Sequence, residues 1–125
     1  MEKKYRVLIA DDVEEMRDML KHTIEPLGCS VDAEASDGVE ALKKIVLIQP
    51  DIVFLDIDMP IKTGLDVLQD LQGMDAKVYP VIVSGHNTAA NVAEAIKAGA
   101  KGFVVKPYSS DKLEQILQKY ETDNA

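Results

Sequence analysis

The chain has 125 residues, 46% of them hydrophobic and 29% charged, which suits one globular domain and leaves little room for a second. Lys and Arg number 14 against 22 Asp and Glu, a net charge of −8, and aromatics are only 5%, so phosphate neutralisation and base stacking both argue against a nucleic-acid surface. The single cysteine, Cys29, excludes an intrachain disulfide and a cysteine metal cage, and no apolar run reaches the ~20 residues of a membrane span.

Strand-like runs alternate with helix-period segments five times. Tyr5–Ala10 reads as a strand, and Val13, Met16, Leu20, Ile24 and Leu27 then fall at helical spacing until Pro26 and Gly28 stop the helix. Ser30–Ala35 alternates apolar and polar residues, as a half-exposed edge strand does. Ser36-Asp37-Gly38 opens a helix using Val39, Leu42, Ile45 and Val46. Ile52–Leu55 is continuously apolar, as expected of a strand covered on both faces, and a loop with Pro60 and Gly64 leads to a short helix carrying Leu65, Leu68 and Leu71. Pro80–Val83 is the fourth strand core, followed by Ala89, Val92, Ala93 and Ile96 at helical spacing and a closing Gly99. Phe103–Val105 is a short fifth strand, after which Ser109 or Ser110 caps a helix built on Leu113, Ile116, Leu117 and Tyr120. The domain is expected over residues 1–122, with 123–125 a polar tail and Glu121–Ala125 frayed. The opening residues carry too short an apolar run for a signal peptide, so a soluble, cytoplasmic protein is expected.

Five strand–helix units of this length predict an α/β fold, a parallel sheet with helices on both faces joined by right-handed crossovers. The alternating second run belongs at an edge and the apolar first, third and fourth runs in the middle. That pattern favours the flavodoxin-like strand order 2-1-3-4-5.

The residues directly after the strands carry the chemistry. Asp11 and Asp12 come after the first, Asp56 after the third, Ser84 after the fourth and Lys106 after the fifth. In a parallel sheet these are all carboxyl ends, the edge where open α/β sheets bind ligands. Two carboxylates ~4 Å apart repel by about 4 kcal/mol at an effective dielectric of ~20, and one lysine offsets only one charge. An all-oxygen set of this kind selects a hard ion, Mg²⁺ or Mn²⁺, which shares its shell readily with a phosphate. The cleft therefore suits a phosphoryl group: cations for its oxygens, a hydroxyl to hydrogen-bond it and a carboxylate to attack it.

Ala10-Asp11-Asp12, Leu55-Asp56-Ile57-Asp58-Met59-Pro60 with Gly64, Val83-Ser84-Gly85-His86, Ala98-Gly99-Ala100 and Val105-Lys106-Pro107 together resemble the receiver domain of two-component response regulators, of the CheY-like single-domain type. The likeness runs from Val7 to about Tyr120. It implies a phosphorylation-activated signalling switch, not an enzyme acting on outside substrates. Asp56 would accept a phosphoryl group from a histidine kinase or a histidine phosphotransfer protein. Asp12, Asp11, Asp56 and the backbone carbonyl of Asp58 would hold Mg²⁺, Asp11 partly through water. Ser84 and Lys106 would contact the phosphoryl oxygens, Phe103 would be the aromatic switch, and Lys106–Pro107 would be cis. A downstream protein target is implied without being named. Asp58 and His86 would flank the water that hydrolyses the acyl phosphate, and His86 would then make hydrolysis slow as pH falls through its ~6.5.

Each residue also has a plainer reading. Asp11 or Asp12 could cap the first helix, Ser84 could cap another, Asp58 and His86 could be solvated, and Phe103 could be ordinary packing. Two other functions compete. Asp56-Ile57-Asp58 has the D-x-D form of haloacid-dehalogenase-type phosphatases, but it comes after the third strand and no insertion is long enough for a cap. A flavodoxin-like sheet could bind flavin, but Asp11-Asp12 stands where a flavin phosphate needs small hydroxyl and glycine residues.

Overall fold

In the computed structural model, which describes residues 5–85 and 88–124, the chain alternates strands and helices as β1 (Tyr5–Ala10), α1 (Glu14–Ile24), β2 (Cys29–Ala35), α2 (Gly38–Ile48), β3 (Ile52–Asp56), α3 (Gly64–Gly73), β4 (Tyr79–Ser84), α4 (Ala89–Lys97), β5 (Gly102–Val105) and α5 (Ser110–Asp123). The five strands form one parallel sheet in the order β2-β1-β3-β4-β5, so the expected topology holds.

Alternate side chains along the inner strands feed two cores on opposite faces. Val7, Ile9, Phe54 and Val81 meet Leu20 and Ile24 of α1 and Leu113 and Leu117 of α5. Leu8, Val53, Leu55 and Ile82 meet Ala41 and Ile45 of α2, Val67 and Leu68 of α3 and Ala95 of α4. β3 and β4 are buried along their full length, which is what their unbroken apolar runs require. At the β2 edge the pairing with β1 slips between Val7 and Leu8 and the register passes over Asp32, so the alternation expected over 30–35 is broken by a bulge.

Helix starts obey their caps. Asp37 accepts from the Glu40 amide, Thr63 and Asp66 form a reciprocal capping box, and Thr88 and Ser109 cap α4 and α5. α1 differs. Its N-cap is Val13, 43% exposed and without a side-chain cap, so Val13 stands outside the buried stripe expected of it. At the other end, α1 gives way to a 3-10 turn over Glu25–Leu27, closed by Gly28 in the left-handed region at φ 102.

The expected apolar faces of α2 and α4 are rotated. α2 buries Gly38, Ala41 and Ile45 while Val46 is 52% exposed; α4 buries Ala95 while Ile96 is 59% exposed. α4 meets the core through the small Ala95 and α2 through Ala41 beside Ile45, which leaves Val46 and Ile96 at the flank. The α5 helix also runs on to Asp123, into the stretch 121–125 expected to be frayed, because its last turn is tied down. Asp123 accepts from Tyr79 Oη at 2.7 Å and pairs with Lys119 at 3.0 Å, and Glu121 accepts from Tyr5 Oη.

Candidate functional site

β1 ends in Ala10 and β3 in Asp56, and the two strands are hydrogen-bonded neighbours, so the Asp11–Asp12 loop lies beside Asp56 at the carboxyl edge of the sheet. Ligand oxygens of Asp11, Asp12 and Asp56 lie within 4.8 Å of one another, the one such acid cluster among the described residues. Asp11 and Asp56 are buried and Asp12 is exposed. β5 brings Lys106 in from the other side, its Nζ 3.0 Å from Asp11 Oδ2 and 3.7 Å from Asp56 Oδ2. The Lys106 amide donates to the Ser84 carbonyl at 2.9 Å, which locks β5 to β4 beside the site, and the Lys106–Pro107 bond is cis, as the resemblance implies.

The acids are not equivalent. Asp11 has both carboxylate oxygens engaged: Oδ1 accepts from the Val13 amide at 2.9 Å and Oδ2 from Lys106. Neither acid of the pair therefore caps α1 in the ordinary way, since the N-cap is Val13. Asp56 is the perturbed one. Burial pushes its carboxyl up to about 6, Lys106 pulls it partly back, and the neighbouring Asp11 charge adds to the rise. Its remaining support includes the Asp58 amide, which donates to it.

The loop after Asp56 is packed against the strand end. A Cβ on Gly64 would stand 2.4 Å from the Asp56 carbonyl oxygen, and one on Gly38 would stand 2.2 Å from the Lys62 carbonyl oxygen. Only glycine allows these approaches, so α2 and α3 both press on the β3–α3 loop.

The sheet thus assembles Asp11, Asp12, Asp56 and Lys106, with Ser84 fully buried as the last residue of β4 and one position beyond Val83, the register partner of Asp56. Asp58 is exposed, and Phe103 is half-buried on β5, paired with Ile82 and packed on the face that carries α2, α3 and α4. His86 lies outside the described residues. Two neighbours went unread in the sequence. Arg17 of α1 donates to the Asp11 carbonyl at 2.7 Å, and Tyr108 packs beneath the acids, its hydroxyl pushed up to about 12 by burial and by Asp11. No motif marks Arg17. Its only signal is its place on the first helix after the acid pair.

The donor set fits a hard divalent ion. Three carboxylates stand together with one lysine, which pairs with Asp11 and Asp56, and burial holds Asp56 at a raised pKa that Lys106 only partly offsets.

A family profile for the response regulator receiver domain matches residues 7–118. The chain is 42% identical over 114 residues to the chemotaxis protein CheY of Thermotoga maritima, covering 91% of this chain and 95% of that one. It is 36% identical over 115 residues to CheY of Bacillus subtilis, covering 92% and 96%. Among solved structures it superposes with a TM-score of 0.86 on a chain of the CheX–CheY–BeF3–Mg²⁺ complex of Borrelia burgdorferi, at 28% identity and covering 98% and 91% of the two chains. The response regulator domain of Thermotoga maritima CheB matches with a TM-score of 0.80 at 32% identity, covering 94% and 93%.

Proposed function

The chain belongs to the receiver domain family of response regulators, and on that premise we propose that Asp56 is its phosphoacceptor and that Asp11, Asp12, Asp56 and the carbonyl of Asp58 hold Mg²⁺. The family makes it a phosphorylation-activated signalling domain. The observation that carries the residue assignment is the buried Asp56 set among two further carboxylates and one lysine at a strand end. A similar chain occurs in a complex with Mg²⁺ and BeF3. Mn²⁺ would satisfy the same oxygens.

An Asp56 oxygen attacks the phosphorus of a phosphohistidine. The new P–O bond forms as the P–N bond to the donor imidazole breaks, and the imidazole leaves as the neutral base after taking a proton from water. A Mg²⁺ ion held by these carboxylates would supply positive charge for the phosphoryl oxygens. At neutral pH most of the Asp56 population is ionised, and its raised pKa makes it a better nucleophile than an exposed aspartate. Lys106, already held within reach of Asp11 and Asp56, takes one phosphoryl oxygen, and the Ser84 hydroxyl takes another. The Lys106–Ser84 backbone bond carries that rearrangement into β5, where Phe103 changes its depth of burial. Asp58 flanks the water that later hydrolyses the acyl phosphate. The domain phosphorylates and dephosphorylates itself and turns over no external substrate. A histidine kinase or phosphotransfer protein donates, and a downstream protein reads the result. Among the described residues no helix is long and apolar enough to cross a membrane.

Asp56→Asn tests this. In Mg²⁺ with a phosphodonor, hydroxylamine-labile labelling of the wild type should vanish in the variant, because an amide oxygen cannot form the acyl phosphate. Labelling at full level, mapped to another residue, would overturn the assignment. Metal titration adds a ranking. Asp12→Ala should weaken Mg²⁺ binding more than Asp11→Ala, since Asp11 already spends both oxygens on Val13 and Lys106, and equal losses would contradict it.

A further inference from the structure

Asp12 is the weak point of the site's geometry. Its side chain is exposed and makes no hydrogen bond or ion pair with any described residue, so its place beside Asp11 and Asp56 is set only by its backbone. One end of that backbone is gripped. The Asp11 amide donates to Ala35 of β2 at 3.0 Å, and the Asp11 carbonyl, part of the peptide that joins the two acids, accepts from Arg17 Nη1 at 2.7 Å. Arg17 is itself anchored: its Nε donates to Glu34 Oε1 at 2.9 Å, and its side chain is 16% exposed. Glu34 sits on β2, with its own carbonyl held by Lys44 Nζ at 2.6 Å. A guanidinium is planar, always charged and carries donors in a rigid fork, so fixing Nε on Glu34 also fixes where Nη1 points.

We propose that Arg17 is a positioning residue for metal binding: anchored on Glu34, it orients the Asp11–Asp12 peptide so that the Asp12 carboxylate faces the site. The inference rests on the reading of the three acids as a Mg²⁺ site. Partners one hydrogen bond behind the ligands set affinity because a ligand that must first be ordered binds the ion less tightly.

Charge and positioning predict opposite signs, which makes the test sharp. Arg17 is a cation close to a carboxylate cluster, so on charge alone its removal would leave Mg²⁺ binding unchanged or tighten it. Positioning requires weaker binding. Mg²⁺ titrations followed by amide NMR should show Arg17→Met raising the dissociation constant about tenfold, with Arg17→Lys recovering part of the loss through its single donor. Glu34→Gln, which leaves Arg17 in place with a weaker anchor, should fall between wild type and Arg17→Met. In metal-free protein the Asp11 carbonyl carbon and the Asp12 amide nitrogen should shift in Arg17→Met, while amides of β4 and β5 stay put and report that the fold is intact. Unchanged or tighter Mg²⁺ binding in Arg17→Met with an intact fold overturns the proposal, as do unmoved Asp11 and Asp12 resonances. A wild type that binds no Mg²⁺ at these acids overturns the metal reading instead, and the metal-free shifts still decide whether Arg17 holds the peptide.

Discussion

Asp56 is a carboxylate that the fold buries without fully neutralising. A group whose folded pKa is raised binds its proton more tightly folded than unfolded, so here the ionised form opposes folding. The unfolded carboxyl sits at 3.8 and the folded one at about 6, so the penalty is absent below the first value, grows between the two and is complete above the second. A difference of about 2 units corresponds to roughly 3 kcal/mol at most. Asp56→Asn should therefore stabilise metal-free protein by about 1–3 kcal/mol at neutral pH, with the gain shrinking as pH falls from 6 towards 4. Urea melts of both proteins across that range check it; a gain that stays constant with pH would point to packing instead of charge. The acids of the site were legible in the sequence for a simple reason. Each comes directly after an apolar run, and in a parallel sheet the residue after a run has only one place to go. Arg17 was not legible, because its role depends on a contact made across a turn of helix to a carbonyl, and carbonyls leave no trace in a residue code.

At the scale of elements, the β3–α3 loop is where the fold and the site constrain each other. Gly64 lies so close to the end of β3 that an added Cβ would meet the Asp56 carbonyl oxygen at 2.4 Å, its carbonyl carbon at 3.0 Å and Ile57 Cα at 3.1 Å. All three are backbone atoms, so the loop itself would have to move. Gly64→Ala should cost about 1–3 kcal/mol and slow phosphorylation by displacing Asp56. Gly73, at the far end of the same helix, has nothing within 4 Å of such a Cβ, and Gly73→Ala should be neutral or stabilising by up to about 1 kcal/mol. Thermal melts of the pair give the comparison, and equal losses would show that helix propensity, not the close approach, decides. The same closeness explains why helix faces are harder to read than helix positions. Periodicity in large apolar residues locates a helix, but α2 buries Ala41 beside Ile45 and α4 buries Ala95, and small residues hardly weigh in a hydrophobic stripe. The α5 terminus escapes the sequence for a different reason. Its polar last turn reads as unanchored, and its partners, Tyr5 and Tyr79, lie on strands far away in sequence.

At the scale of the whole molecule, a net charge of −8 means that any cation stabilises the folded chain somewhat by screening, so a metal effect has to be separated from a salt effect. Linkage provides the separation. An ion that binds only the folded state stabilises it by an amount that grows with the logarithm of its concentration, about 2.7 kcal/mol at a hundredfold excess over its dissociation constant. Screening saturates and is matched by NaCl at equal ionic strength. Mg²⁺ should therefore raise the melting temperature of the wild type well beyond matched NaCl. The rise should fade below pH 6, where protons occupy Asp56 and compete with the ion. Asp56→Asn should begin more stable than the wild type, having lost the buried charge, and then gain almost nothing from Mg²⁺. The stability gap between the two proteins should thus narrow as Mg²⁺ is added at pH 7.5 and stay fixed as NaCl is added. If both salts narrow it alike, the three carboxylates act only as a diffuse negative surface. If Mg²⁺ alone narrows it, the buried Asp56 charge, whose desolvation raises its pKa, is also what the ion neutralises, and the instability of the metal-free site and its affinity for metal have one source.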